Sequence, residues 1–564
     1  MRRALLALLL AALLAGPAAA QRFVAIGLHD IADTREGLTA DSITTSSLVR
    51  FFDWLKAEGW TPISLDDLEA ARQGRRPLPP RPVLLSFDDG YRSFYTRLYP
   101  LLLAYRYPAI IALVGTWMEG GPDGLVRYGD QAVPRSNFLT WAEAREMQAS
   151  GLVEFASHSY GLHTTVQANP QGNLTPAASS WAYDPATGRH EDDAALRRRV
   201  EADLRRAVAL HRRELGRAPR ALVWPFGRYS GPALEAAQAA GFRFTVTLDP
   251  EPADVQRPLT IGRFYPSQAP DVAALADNLR FQEQSPPALR MVCLDPSVIA
   301  GAGDAAAQDA ALGNAIEAMR RLGANIVAID AHAPGAEGRL GPAWYPTGMT
   351  AQGPNVLSRL VWQLRTRGGA DAYVRLPLDR AIATVGEARA PELVAELIRR
   401  APADGLLLEG AGSLAAALPG VWQDPSPWAT RQRRAALAPD SLDPSGRVAL
   451  QAARRAEALR PGLRLILAST ATPAPGLWPA PVADRVLLGL ASTEALAPLR
   501  AAGWIAPEAR SRLVLDLPPG PRMLEAAQRA GATGLAYCAD GAAALAEAAA
   551  RAPGFSGASF PLRP

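Results

Sequence analysis

Two successive series of short apolar runs, each interrupted by helical patterns, constrain what this chain of 564 residues can fold into. A short apolar run bounded by turn residues is typical of a buried strand, whereas apolar residues at helical spacing are typical of an amphipathic helix. Strands that alternate with helices predict βα units and a parallel sheet. Because 48% of the residues are hydrophobic, a chain of this length can bury two cores. We therefore expect two α/β domains.

The first series predicts a distorted (β/α) barrel in the N-terminal half. Residues 167–189 are rich in Asn, Pro, Gly, Ser and Thr, which predicts a long loop. The expected strands cover residues 23–26, 83–85, 109–114, 153–156, 221–224 and 244–247. The expected helices cover residues 46–58, 141–150, 192–214 and 232–240.

The second series contains eight strand candidates with helical stretches between them, which predicts a (β/α)8 barrel. Cys293 and Cys538 fall on the first and eighth candidates, which are neighbours in a closed barrel. A disulfide is therefore geometrically possible, and two separate buried thiols are the alternative. The candidates cover residues 289–294, 325–330, 372–376, 405–408, 463–468, 485–490, 512–517 and 534–538.

The N-terminus is typical of a secretory signal peptide, with Arg2 and Arg3, an apolar core and a small-residue cleavage site before Gln21. The core is shorter than the roughly 20 residues that cross a bilayer. We expect no transmembrane segment and an exported, soluble protein, periplasmic if the source is Gram-negative. The expected division is signal peptide 1–20, first domain 21–268, linker 269–288 with a helix inside it, and second domain 289–564.

The charge balance argues against nucleic-acid binding. The chain has 59 basic and 55 acidic residues, a formal net charge of +4. A nucleic-acid footprint needs basic residues clustered on one face, which this sequence does not indicate.

Two motifs predict a metal site in the first domain. The segment Ser86-Phe87-Asp88-Asp89-Gly90 follows an apolar run, and His158-Ser159-Tyr160-Gly161-Leu162-His163 follows another. The two histidines are about 140° apart on a helix, so a loop is the natural chelator. Asp-Asp-Gly alone is a common turn and each histidine alone is ordinary, but together they favour metal-assisted hydrolysis.

We assign Asp89, His158 and His163 as ligands of one divalent metal ion. Such a set leaves coordination positions open for water and substrate, and it admits zinc, iron, cobalt or nickel. Asp88 is then available as the general base.

The motifs resemble those of polysaccharide deacetylases of carbohydrate esterase family 4, the NodB-homology group. The two segments above resemble its Asp-Asp and histidine motifs, and residues 221–227 resemble a third, a strand ending in Pro-aromatic-Gly that walls the sugar pocket. The resemblance implies that Trp224, Pro225, Phe226 and Tyr91 bind substrate. Core packing is the alternative for the aromatic residues of the third motif.

Two departures from the family pattern qualify the resemblance. Val223 and Trp224 stand where the family has an arginine before the proline, and Arg220 or Arg263 could replace it. No histidine occurs in residues 259–264, where the family has its general acid. His29 is the expected replacement, since histidine titrates near neutral pH, and a histidine that fixes a strand end is the alternative.

An early histidine with a Trp-Pro-aromatic-Gly motif resembles the two-domain poly-β-1,6-N-acetyl-D-glucosamine N-deacetylases, which are exported biofilm enzymes. In their second domain, a glycoside-hydrolase-like barrel, an acidic pair follows the fourth strand. Here Gly410 and Ala411 take those places, and Cys293 replaces an early carboxylate. We therefore favour glycan binding over cleavage for this domain. Other acids at predicted strand ends could bind amines, namely Asp330, Glu409, Asp516 and Asp540.

The resemblance implies metal-dependent N-deacetylation of an exported β-1,6-linked poly-N-acetyl-D-glucosamine during biofilm maturation and export. The expected partners are this polymer and the polysaccharide-export machinery of the outer membrane. A chitin or peptidoglycan deacetylase and a non-catalytic polysaccharide-binding export scaffold are the alternatives.

Overall fold

The computed structural model describes residues 21–39, 42–120, 124–129, 131–249, 253–266, 271–279, 289–419, 427–505, 512–517 and 521–538. The chain divides into two compact units. Unit 1 comprises residues 1–166, 175–179 and 191–284, and unit 2 comprises residues 167–174, 180–190 and 285–564. Residues 167–174 and 180–190, which were expected in the first domain, therefore belong to unit 2. The expected signal peptide, residues 1–20, lies outside the described residues.

A parallel sheet forms the centre of unit 1, and its main strands are hydrogen-bonded in chain order. Val83, Leu84 and Leu85 are fully buried, as expected for a parallel strand covered on both faces. The short strands Thr61–Pro62 and Ala253–Asp254 extend the sheet at β2 and β1. The main strands are β1 (Arg22–Leu28), β2 (Pro82–Phe87), β3 (Ala109–Leu113), β4 (Val153–Ser157), β5 (Ala221–Val223), β6 (Phe244–Thr247) and β7 (Ile261–Gly262).

The residues that follow β7 pair with β1 and so close the sheet. Phe264 pairs in parallel with Ile26, and its backbone N–H donates to the carbonyl oxygen of Ala25 at 2.9 Å. Its own carbonyl oxygen accepts from the N–H of Gly27 at 2.7 Å. The prediction of a distorted barrel is therefore confirmed.

Helices cover the strands of unit 1. The four expected helices are confirmed to within one residue at each end, and the helix expected inside the linker is also present. That last helix places Leu275 and Leu279 in the same apolar cluster as Phe51 and Phe52, so it belongs to the core of unit 1. The helices are α1 (Thr45–Ala57), α2 (Leu65–Arg72), α3 (Tyr99–Tyr105), α4 (Gly115–Glu119), α5 (Trp141–Ala149), α6 (Asp193–Leu215), α7 (Gly231–Ala239) and α8 (Val272–Leu279).

The segment expected as a long loop carries short strands at Thr165–Gln167, Leu174–Pro176, Tyr183–Asp184 and Arg189–His190. These strands are only two or three residues long, too short for an alternating apolar pattern to reveal them. None of the helices in the described parts of the chain has both the length and the apolar character needed to cross a membrane.

Unit 2 is a closed barrel of eight parallel strands, which confirms the prediction for the C-terminal half. The last strand pairs with the first, Gly534 lying opposite Leu289. Inside the barrel, a Cβ atom on Gly405 would lie 2.0 Å from the Tyr373 ring, so only glycine fits there. The strands are β8 (Leu289–Leu294), β9 (Ile326–Asp330), β10 (Asp371–Pro377), β11 (Gly405–Glu409), β12 (Arg464–Ser469), β13 (Arg485–Gly489), β14 (Leu513–Asp516) and β15 (Gly534–Tyr537).

Helices follow most of these strands, as a (β/α)8 barrel requires. They are α9 (Ser297–Ala300), α10 (Ala305–Leu322), α11 (Leu357–Thr366), α12 (Leu378–Val385), α13 (Ala390–Arg400), α14 (Pro427–Ala436), α15 (Pro444–Leu459), α16 (Leu496–Ala501) and α17 (Pro521–Arg529).

A disulfide joins Cys293 and Cys538, which are 245 residues apart in the sequence. Cys293 lies in β8 and Cys538 directly follows β15, so the bond links the two strands that close the barrel. The sequence left open either a disulfide or two separate buried thiols, and the structure has the disulfide.

Replacing both cysteines with alanine removes this link, and we expect the free energy of unfolding to fall by on the order of 4 kcal/mol, because the bond restricts a long loop in the unfolded chain. Thermal unfolding of the wild type and of the C293A/C538A variant measures the effect. A reductant should lower the wild-type Tm towards that of the variant and leave the variant unchanged. Equal Tm values for the two oxidised proteins would contradict the prediction.

Candidate active site

The carboxyl ends of the unit 1 strands bring the expected site residues together at one edge of the barrel. In parallel barrels this edge is where side chains from different strands meet, and where active sites form. His29 follows β1, Asp88 and Asp89 follow β2, His158 follows β4, the segment 224–227 follows β5, and Arg263 follows β7.

Asp89, His158 and His163 form a compact set of three side chains whose ligand atoms all lie within 4.8 Å of one another. The Nε2 atoms of both histidines are 3.5 Å from Asp89 Oδ1. That oxygen is buried and has no hydrogen-bond partner among the described residues. Because a buried carboxylate oxygen without a partner is costly, the arrangement is one that a cation would complete.

Neighbouring groups orient the three side chains. His158 Nδ1 lies 2.7 Å from the carbonyl oxygen of Val223, a contact that leaves Nε2 as the acceptor nitrogen. The Tyr128 hydroxyl donates to Asp89 Oδ2 at 3.1 Å. The ring of His163 packs against those of Trp117 and Phe226, with centroid distances of 4.7 and 4.5 Å. Such outer contacts are typical of metal ligands, and the donor set fits a divalent transition metal.

Burial determines the protonation states of Asp89, His158 and His163. It lowers the pKa of His158 and of His163 to about 4, so both imidazoles are neutral at pH 7. Burial also raises the pKa of Asp89 above its usual range. Neutral imidazoles are the form that binds metal ions.

The backbone of both motifs is held in unusual conformations. Asp89 and Ser159 have φ angles of 77° and 69°, in the left-handed region that non-glycine residues rarely adopt. Asp203 on α6 holds the histidine loop, because its carboxylate accepts from the backbone N–H groups of Tyr160 at 2.9 Å and Gly161 at 2.8 Å. Such backbone strain is concentrated at functional sites.

Asp88 forms a buried ion pair with Arg263. Arg263 Nη1 donates to Asp88 Oδ1 at 2.7 Å, and Nη2 donates to Oδ2. Burial alone would raise the pKa of Asp88, but the charge and hydrogen bonds of Arg263 outweigh it and hold that pKa well below its usual range. Asp88 is therefore ionised. A Cβ atom on Gly27 would lie 2.8 Å from Nη1, so a side chain at this position would displace the guanidinium.

The structure decides between the two arginines that the sequence left open. Arg220 Nε donates to Glu154 Oε1 at 2.8 Å, and its Nη1 donates to Asp66 Oδ1 at 2.6 Å. These contacts hold Arg220 at the amino end of β5, whereas Arg263 at the carboxyl end of β7 binds Asp88.

His29 is also part of this cluster. Its Nε2 atom lies 3.8 Å from Asp88 Oδ2, and its ring packs against Tyr265 with a centroid distance of 4.7 Å. The Nδ1 atom is buried without a hydrogen-bond partner among the described residues. The early histidine therefore reaches the same edge of the barrel as Asp89, His158 and His163.

The residues expected to bind substrate differ in exposure. Phe226 is 42% exposed beside His163. Trp224 is fully buried and stacks on Tyr229, and Pro225 is buried as well, so neither presents a surface for substrate. The core-packing alternative thus describes Trp224 in this structure, and the role of Trp224 and Pro225 in substrate binding stays a prediction. Tyr91 is partly buried and stacks on Phe138 at 5.4 Å.

The sequence interpretation missed Tyr128 and Trp117. Tyr128 lies on a hairpin formed by the strands Leu125–Tyr128 and Gln131–Pro134. The dipeptide Gly129-Asp130 between two short β-type runs is a hairpin signal and could have revealed it. Trp117 lies on the five-residue helix α4, which is too short to show helical periodicity.

Strand-end acids of unit 2 gather around Arg375. Its guanidinium donates to Glu409 Oε1 at 2.9 Å and to Asp330 Oδ1 at 3.2 Å. Burial raises the pKa of Asp330 to about 6, despite the nearby Arg375 charge. Asp516 accepts a hydrogen bond from the backbone N–H of Cys538 at 2.8 Å. Asp540 lies outside the described residues.

A cavity of about 540 Å³ also opens at the carboxyl ends of β11 and β12. Gly410 and Ala411, the residues expected in the two acidic places, line it together with other small residues. The cavity wall contains no carboxylate among the described lining residues.

One known protein family is similar to part of this chain. The polysaccharide deacetylase family matches residues 75–245. A poly-β-1,6-N-acetyl-D-glucosamine N-deacetylase of Escherichia coli K12 is 33% identical over 358 residues, which are 63% of this chain and 53% of the relative. A Staphylococcus aureus protein of the same name is 22% identical over 209 residues, 37% of this chain and 61% of that protein. The chain thus spans about half to three-fifths of the length of these curated relatives.

Three solved structures each match about half of the chain. A de-N-acetylase from Aggregatibacter actinomycetemcomitans is 32% identical, covering 46% of this chain and 99% of its own, with a TM-score of 0.43. The BpsB deacetylase domain from Bordetella bronchiseptica is 40% identical, covering 43% of this chain and 94% of its own, with a TM-score of 0.38. The PgaB (BpsB) glycoside hydrolase domain from the same organism is 17% identical, covering 50% of this chain and 100% of its own, with a TM-score of 0.36.

Replacing Arg263 with glutamine leaves the buried Asp88 carboxylate without its counter-charge. We expect the free energy of unfolding to fall by about 3 kcal/mol, the typical cost of breaking a buried ion pair from one side. The D88N/R263Q variant should recover part of this loss, since it removes both charges. Denaturant unfolding of the wild type, the two single variants and the double variant measures the coupling energy, and strictly additive losses would contradict the prediction.

Proposed function

We propose that this protein, whose residues 75–245 match the polysaccharide deacetylase family, is a metal-dependent hydrolase that removes acetyl groups from an exported, β-1,6-linked N-acetyl-D-glucosamine polymer. The observation that carries the proposal is the convergence of Asp89, His158 and His163 with the ionised Asp88 at one edge of the barrel. The names of the Escherichia coli and Staphylococcus aureus relatives support the choice of polymer.

Asp89, His158 and His163 would hold one divalent ion, with zinc, iron, cobalt and nickel as the candidates. When bound, such an ion supplies Lewis-acid polarisation of the acetamido carbonyl and a water molecule of lowered pKa. The neutral imidazoles and the unpartnered Asp89 oxygen support this assignment.

Asp88 is the proposed general base that accepts the proton of the attacking water. Arg263 keeps its carboxylate ionised and donates one hydrogen bond to each of its oxygens. Each carboxylate oxygen has a second lone pair, so the two hydrogen bonds still leave Asp88 able to accept a proton. The same ion pair prevents the carboxylate from turning away from the site.

His29 is the proposed general acid that delivers a proton to the departing glucosamine nitrogen. It approaches Asp88 from the end of β1, so acid and base come from neighbouring strands. Phe226 presents the exposed ring beside the ligand set and would contact the apolar face of a sugar.

The second unit would bind the glycan without cleaving it. Glycoside cleavage needs two placed carboxyl groups. The wall of the cavity at β11 and β12 carries none among its described residues, and Asp330 and Glu409 are both engaged by Arg375. We further propose that the protein is exported to the periplasm and works with the export machinery of the outer membrane, which the N-terminal sequence pattern supports.

The two neighbouring aspartates give a matched test of the chemistry. The D88N variant should retain metal binding and lose acetate release, because it keeps all three proposed ligands and lacks the proposed base. The D89N variant should lose metal binding as well, because it lacks a ligand. Acetate release and metal content are measured on the same folded samples, and turnover by D88N would overturn the assignment of the base.

The linkage of the polymer separates the proposal from its alternatives. We expect metal-dependent acetate release from β-1,6-linked N-acetylglucosamine oligomers, loss of release after chelation, and recovery when a divalent ion is added. Faster release from β-1,4-linked oligomers would favour a chitin or peptidoglycan deacetylase. Polymer binding without release under any metal would favour the export scaffold.

A further inference from the structure

The hairpin formed by Leu125–Tyr128 and Gln131–Pro134 is a separate element that packs beside the ligand set. Val126 is almost fully buried in a small apolar cluster with Trp117 and Phe138. The Tyr128 ring packs on the same cluster, its centroid 5.0 Å from that of Trp117. The hairpin therefore has its own small core, distinct from the main core of the barrel.

Arg135 anchors the base of this hairpin. Its guanidinium donates to the carbonyl oxygens of Met118 and Leu139 at 2.7 Å and of Phe138 at 3.1 Å. Its backbone N–H donates to the carbonyl oxygen of Gly124 at 2.8 Å. Side chains on the hairpin are thus fixed relative to α4 and to the segment before α5.

From this platform Tyr128 donates its hydroxyl to Asp89 Oδ2 at 3.1 Å, while Asp89 Oδ1 faces the two histidine Nε2 atoms. We propose that Tyr128 is a positioning residue that fixes the Asp89 carboxylate so that Oδ1 alone is presented to a divalent cation. This inference rests on the metal site of the proposed function.

A fixed carboxylate matters here because the Asp89 backbone is in the left-handed region and its side chain projects from a tight turn. Without the tyrosine hydroxyl, the carboxylate can rotate about its Cβ–Cγ bond, and Oδ2 competes with Oδ1 for the cation. A partner that orients a metal ligand typically contributes about 10- to 100-fold in metal affinity.

The test compares the metal affinities of two variants that each lose one tyrosine hydroxyl. Y128F removes the donor to Asp89. Y95F is the matched control, since the Tyr95 hydroxyl donates to the Glu146 carboxylate at 2.8 Å on the exposed surface. Zn²⁺ is titrated into each full-length apoprotein against a chromophoric chelator, and the Tm of each apoprotein is measured alongside.

We expect the Zn²⁺ dissociation constant of Y128F to be about 10- to 100-fold larger than that of the wild type. The dissociation constant of Y95F should equal that of the wild type, and the two apo variants should have the same Tm. An affinity of Y128F equal to the wild type would overturn the role of Tyr128 and leave the proposed function standing. The role of Tyr128 would also be overturned if the apo Tm of Y128F were so low that destabilisation alone explained its weaker Zn²⁺ binding. A wild type that binds no Zn²⁺ or Co²⁺ would overturn both.

Discussion

The buried ion pair between Arg263 and Asp88 is the interaction on which the first barrel and its site depend. Arg263 follows β7 and Asp88 follows β2, and the guanidinium crosses the carboxyl end of β1 at Gly27. The next residue, Phe264, forms the backbone bonds that bring the sheet back to β1. Hydrogen bonds offset the cost of burying such a pair: Ser86 Oγ accepts a further bond from Arg263 at 2.7 Å, and only Nε of the guanidinium has no partner among the described residues. The same residues therefore close the barrel and hold the proposed base in its ionised form.

The sequence predicted the elements whose physical signal is local. Continuous apolar runs identified the strands that are buried on both faces, and the positions of Asp88, Asp89, His158 and His163 at strand ends indicated that they meet. The eight strands of the second barrel followed from the same pattern.

What the sequence did not reveal depends on contacts distant along the chain. The choice of Arg263 over Arg220 follows from the closure of the sheet, which no local pattern reports. The burial of Trp224 depends on its stacking against Tyr229, although the motif around it had indicated a sugar-binding wall. The Gly129-Asp130 dipeptide signals the hairpin that carries Tyr128, but no local pattern reports the contact of Tyr128 with Asp89, which is 39 residues away in the sequence.

The central claim is that Asp89, His158 and His163 hold the ion that the deacetylation chemistry needs. Anomalous X-ray diffraction from crystals of the wild-type protein soaked in Co²⁺ or Zn²⁺ tests it directly. The account predicts one strong peak at roughly 2.0 to 2.2 Å from Asp89 Oδ1 and both histidine Nε2 atoms, and no peak there in crystals of D89N. A metal peak elsewhere in the chain, with acetate release unchanged in D89N, would contradict the account.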